Sequence, residues 1–100
     1  MESDSNNIKN LFEIIPLLET PDEAERFLAD LCTPQEIKIL QERWKVCQLL
    51  DSGELSYREI REITGASTTT ITRVARFLND EPYMGYKILL RKIKKGDKNA

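Results

Sequence analysis

Three tetrapeptides fix most of the architecture before any other feature is weighed: "TPDE" (Thr20 to Glu23), "TPQE" (Thr33 to Glu36) and "SYRE" (Ser56 to Glu59). Each offers a hydroxyl that caps the first free N–H groups of a helix and a glutamate three residues on that reaches back to the cap. The first two add proline at the first helical position, where its missing N–H costs nothing. A chain that announces helix starts this often, with apolar residues recurring at three and four between them, is predicted to be all-α.

The pattern predicts about six helices. The first covers about residues 6 to 18 and presents Ile8, Leu11, Phe12, Ile15 and Leu18, with Pro16 kinking or shortening it. The second runs from Pro21 to about Leu31 and buries Ala24, Phe27, Leu28 and Leu31. The third runs from Pro34 to about Asp51, with Ile37, Leu40, Trp44, Cys47 and Leu50 on its inner face, and ends at Gly53. The fourth spans about Tyr57 to Thr64 and stops at Gly65; the fifth runs from about Thr68 to Asn79. A sixth follows Pro82, over about residues 82 to 95, before "KKGDKNA" frays. No strand pattern, repeat or low-complexity block interrupts them, and 100 residues are expected to make a single domain.

Composition narrows the function. The chain has two cysteines and no histidine, so neither a Cys/His nor a Ser/His nucleophile pair can be built, and no metal cluster, phosphate loop or paired-carboxylate constellation stands out. No catalytic residue, metal site or cofactor is expected, and the chain does not read as an enzyme. Cys32 and Cys47 fall at apolar helical or cap positions and read as reduced, packed thiols. No apolar run approaches the roughly 20 residues of a membrane span, and "MESDSNN" lacks the features of a signal peptide. The expected setting is the cytoplasm, without a membrane partner.

The net charge of −2 is unevenly spread: residues 1 to 30 carry eight acidic and two basic side chains, residues 31 to 100 nine and thirteen. That asymmetry permits a basic working face on an acidic protein. The place for such a face is "YREIREITGASTTTITRVARFL", residues 57 to 78. Two short helices joined through "TGAS" have the proportions of a helix-turn-helix. Ile60 and Ile63 give the first an inward face, and Ile71, Val74, Ala75 and Leu78 the second; Thr68, Thr69, Thr72, Arg73 and Arg76 remain outward. β-Branched threonines are mediocre helix formers, but their short side chains let a backbone approach base edges, with a hydroxyl to bond and a methyl to pack on thymine. Arg58 and Arg61 lie on the exposed face of the fourth helix. A plain helical hairpin with a solvated polar face explains the spacing too; the arginines favour double-stranded DNA.

Residues 31 to 78, "LCTPQEIKILQERWKVCQLLDSGELSYREIREITGASTTTITRVARFL", resemble without a gap the central segment of the Trp repressor family, and are similar in detail to its TrpR-like branch of the YerC/YecD type. The resemblance implies an intertwined homodimer: residues 1 to 31 supply dimerisation helices, 56 to 79 the helix-turn-helix and 82 to 95 the C-terminal helix. It implies a DNA-binding transcriptional regulator, a dimeric repressor reading a pseudo-palindromic operator in the major groove. Carried over residue by residue, Arg58 falls on a position that reaches guanine, Arg61 on a basic position near bases, Thr68, Thr69 and Thr72 on base-proximal positions, and Arg43 and Lys45 on positions that face phosphate. Arg76 completes the DNA-facing set by its outward place on the fifth helix.

Thr33, Arg43, Thr70 and Arg73 correspond to the family's corepressor pocket, which gives a candidate effector pocket of Thr33, Arg43, Thr70, Arg73, Val74 and Phe77. Here the chain departs from its tryptophan-responsive relatives, which have glycine at the position of Val74 and serine at that of Phe77. Both changes add bulk where an indole and an amino group would lie, and argue against L-tryptophan as corepressor. A small-molecule effector of another kind is left open. The competing reading from a different class is a helical protein–protein interaction module of the transcription machinery, without sequence-specific readout.

Overall fold

In the computed structural model the described residues are 7 to 99. They form six α-helices: α1 (Leu11–Ile14), α2 (Pro21–Leu31), α3 (Pro34–Ser52), α4 (Tyr57–Thr64), α5 (Thr68–Asn79) and α6 (Gly85–Asn99), with a 3-10 turn at Ile15–Leu17 after α1. The chain falls into two compact units, one ending at Ile37 and one beginning at Lys38, so the boundary lies inside α3.

The capping chemistry is largely as the sequence dictates. Ser56 and Glu59 close a reciprocal box at α4: the Ser56 N–H donates to Glu59 Oε1 at 2.9 Å and the Glu59 N–H to Ser56 Oγ at 3.1 Å. Thr33 and Glu36 do the same at α3, at 2.8 and 3.1 Å. At α2 only half of the box forms, because Glu23 accepts from the Glu19 N–H at 2.9 Å instead of from the cap residue Thr20. A further box, Asn10 with Glu13, starts α1.

The first helix is much shorter than the 6 to 18 expected. Ile8 lies before it, the start expected at residue 6 lies outside the described residues, and Pro16 turns the chain into a single 3-10 turn, since proline has no N–H to continue the α ladder. Nor does the apolar stripe find a core: Ile8 and Phe12 are 73% and 77% exposed, and no residue of α1 or α2 is buried. Ala24, Phe27 and Leu28 of α2 are half-buried, while Leu31 is exposed.

The second unit holds the core. Val46 and Cys47 of α3, Ile60 of α4, Ala66 of the turn, Ile71, Val74 and Leu78 of α5, and Leu90 of α6 pack together, with Trp44, Leu49, Leu50, Leu55 and Tyr86 against them. Leu40, expected inside, is exposed and Val46 takes the central place. Two links tie α6 to α3: the Trp44 and Tyr86 rings, centroids 6.3 Å apart, and an ion pair of Lys94 Nζ with Asp51 Oδ2 at 2.8 Å. Helix α6 does not start at Pro82; the chain first turns through Met84, whose φ of 67° breaks the helical path. It then continues to Asn99, beyond the expected end near residue 95. No helix among the described residues is long and apolar enough to cross a membrane.

Candidate nucleic-acid interface

Helix α4 ends because Gly65 adopts a left-handed φ of 77° and returns its N–H to the Arg61 carbonyl. Thr64 fastens the same turn twice, donating its hydroxyl to the Ile60 carbonyl at 2.8 Å and accepting the Ala66 N–H at 3.0 Å. Ala66 is buried beneath it, so the turn between α4 and α5 is anchored from inside. Glu59 reinforces the other end of α4: the Ser56 backbone N–H, and secondarily its hydroxyl, hold the carboxyl below its ordinary value of 4.5.

Ser67 starts α5 by accepting the Thr70 N–H at 3.1 Å, and its hydroxyl lies 3.1 Å from the Thr70 hydroxyl. The five hydroxyls of residues 67 to 72 therefore divide. Ser67 and Thr70 bond to each other and to the helix start; Thr68, Thr69 and Thr72 are exposed. Ile71, Val74, Ala75 and Leu78 form the opposite, buried face. Ile63, expected to point inward from α4, is 55% exposed and leaves Ile60 as that helix's only buried residue. The inward role expected of Ile63 is filled by Ala66, a residue too small to stand out in a periodicity reading.

The outward threonines meet two arginines. Thr68, Thr69, Thr72, Arg73 and Arg76 line one surface cleft of about 340 Å³. On α4, Arg58 and Arg61 are exposed; Arg58 Nε lies 3.5 Å from Glu62 Oε1, an i,i+4 pair that solvent weakens. Lys45 is exposed on α3 and Arg43 half-buried. Arg76 Nε sits 3.5 Å from Glu81 Oε2.

The α5 residues assigned to an effector pocket differ in environment. Val74 is fully buried in the core and reaches no cleft, because the face of α5 on which it lies is the packed one. Thr70 is engaged with Ser67, and Thr33 caps α3 in the first unit. Arg73 and Phe77 do meet: the Arg73 guanidinium carbon lies 4.3 Å from the Phe77 ring centroid. Both border a second cleft, of about 370 Å³, with Tyr83, Tyr86 and Leu89 among its other walls. Spacing alone does not reveal that α6 side of the site; the aromatic pair Tyr83 and Tyr86 after Pro82 is its visible trace in the sequence. The Tyr86 hydroxyl is pushed above its ordinary value of 10.0, chiefly by burial and then by the nearby Cys47.

Comparison with known proteins identifies the family and the fold. The family model described as Trp repressor protein matches residues 6 to 94. The chain is 44% identical over 72 residues to the protein YerC of Bacillus subtilis strain 168, covering 72% of this chain and 68% of that one. Its fold is similar to the crystal structure of a TrpR-like protein from Eubacterium eligens, with a TM-score of 0.79, 36% identity, and 93% and 92% of the two chains covered. A Trp repressor candidate from Staphylococcus aureus matches with the same TM-score of 0.79 at 32% identity, covering 93% of this chain and 89% of that one.

Proposed function

Because the chain belongs to the Trp repressor family, whose members are DNA-binding transcription regulators and not enzymes, we propose that it reads a specific operator through α5 and represses as a homodimer in the cytoplasm. The observation that carries this reading is the division of α5. Ile71, Val74, Ala75 and Leu78 are buried on one face, and the outward hydroxyls and guanidinium groups collect in a single cleft. Such a surface at a helix N-terminus suits a major groove: threonines for base edges and thymine methyls, free backbone N–H groups and arginines for phosphate.

In this reading Arg58 and Arg61 reach bases from α4, Thr68, Thr69 and Thr72 read from α5, and Arg43, Lys45 and Arg76 contact phosphate. Two such heads one helical turn apart, about 34 Å, require a pseudo-palindromic site. We propose that L-tryptophan is not its corepressor, a reading supported by the Phe77 ring that lies against the Arg73 guanidinium.

A selection from random duplexes, run with and without a panel of amino acids, tests binding, specificity and effector dependence at once. A palindromic motif enriched equally in both arms is the expected result; no enrichment at modest salt would remove the reading. On the enriched duplex, Arg58→Ala is expected to relax preference at one base pair at a cost of about 1–3 kcal/mol, while Lys45→Ala weakens all sequences alike and lowers the salt slope by about one.

A further inference from the structure

Phe77 stands behind the outward cleft, not in it: it lines the α6-side cleft and is absent from the walls of the one that holds the threonines. Yet both arginines of the outward cleft rest on its ring. The guanidinium carbon of Arg73 is 4.3 Å from the centroid and that of Arg76 is 5.0 Å from it. Tyr83, from the segment between α5 and α6, stacks on Phe77 with centroids 6.3 Å apart and planes 16° from parallel. Glu81 of the same segment pairs with Arg76 at 3.5 Å.

Two cations three residues apart on one helix repel each other, and each free arginine samples many rotamers. A shared aromatic ring offsets the repulsion through its negative face and narrows the rotamers. We infer that Phe77 is a positioning residue for the duplex-binding face: it holds Arg73 and Arg76 in place before binding, with Tyr83 as its support, so that less ordering is left to be done on contact. The inference rests on the proposed function for its consequence, though not for its geometry.

The decisive variants are Phe77→Leu, which keeps an apolar side chain and removes the π face, and Phe77→Trp, which restores a larger one. In the free protein, nitrogen relaxation of the Arg73 and Arg76 Nε–Hε groups is expected to show more motion in Phe77→Leu and wild-type order in Phe77→Trp. On the duplex enriched by the wild-type protein, Phe77→Leu binds about tenfold more weakly, at an unchanged salt slope because no charge is lost, and Phe77→Trp recovers most of the affinity. Circular dichroism and thermal unfolding confirm that each variant is folded; Tyr83→Leu, on the exposed side of the stack, gives a smaller loss in the same direction and serves if Phe77→Leu does not fold. Unchanged arginine motion in Phe77→Leu, or failure of Phe77→Trp to restore either readout, overturns the inference. If the wild-type protein enriches no duplex, the proposed function falls, and the relaxation data still decide whether Phe77 holds the two arginines.

Discussion

The two units of this chain use similar helices to opposite ends. Helix α2 in the first is as amphipathic in sequence as α5 in the second, and both are capped by a hydroxyl residue, yet α5 buries four residues and α2 buries none. Around α5 the apolar faces of α3, α4 and α6 close on one another. In the first unit Ile8, Phe12, Leu17 and Leu31 stay exposed. Amphipathicity therefore specifies a helix and the face it offers, while burial depends on what other helices stand within reach. An apolar face left open on a small protein is the kind of surface that a partner covers, and the proposed homodimer would use it.

The contrast can be broken most forcefully in the core. Ile71→Ala is expected to cost about 2–5 kcal/mol of stability in urea unfolding, a value independent of protein concentration. Alkaline pH probes the same core next. Burial, with a smaller contribution from Asp51, pushes the Cys47 thiol from 9.0 up to about 11. The unfolded thiol therefore ionises first, so the stability this group contributes is whole below pH 9.0 and is lost as pH rises toward about 11; Cys47→Ala should flatten that stretch of the stability profile.

Ser67→Ala removes the α5 cap and should cost about 1 kcal/mol, with the largest change in amide exchange at residues 68 to 72. The smallest effect sharpens the comparison from the other side. Phe12→Ala in dilute protein should change stability by less than about 0.5 kcal/mol, while sedimentation at higher concentration shows weakened self-association. A Phe12 variant that destabilised the dilute chain as much as Ile71→Ala would erase the distinction between the units.

What the sequence made legible was what a single residue type decides locally. Caps at Thr20, Thr33 and Ser56, the left-handed stop at Gly65 and the bounds of α2, α4 and α5 all follow from short-range chemistry. The outward set on α5 was legible as well, because one helical face that is wholly apolar leaves the other fully determined. The misses needed neighbours. Whether Ile63 or Ala66 faces the core depends on how tightly the turn is drawn by Thr64. The late start of α6 depends on Met84 taking a conformation seldom seen outside glycine and asparagine. By its position in the sequence Phe77 is bulk in a ligand cavity; that two guanidinium groups lie on its ring is a fact of side-chain placement, invisible to spacing.

The pairing of Ser67 with Thr70 has an evolutionary corollary. With those two hydroxyls spent on starting the helix and the inward side chains spent on cohesion, Thr68, Thr69 and Thr72 owe nothing to keeping α5 folded. They are free to drift. If α5 reads a duplex as proposed, descendants of this chain can acquire new preferences by exchanging those three letters, without first surviving an unstable ancestor.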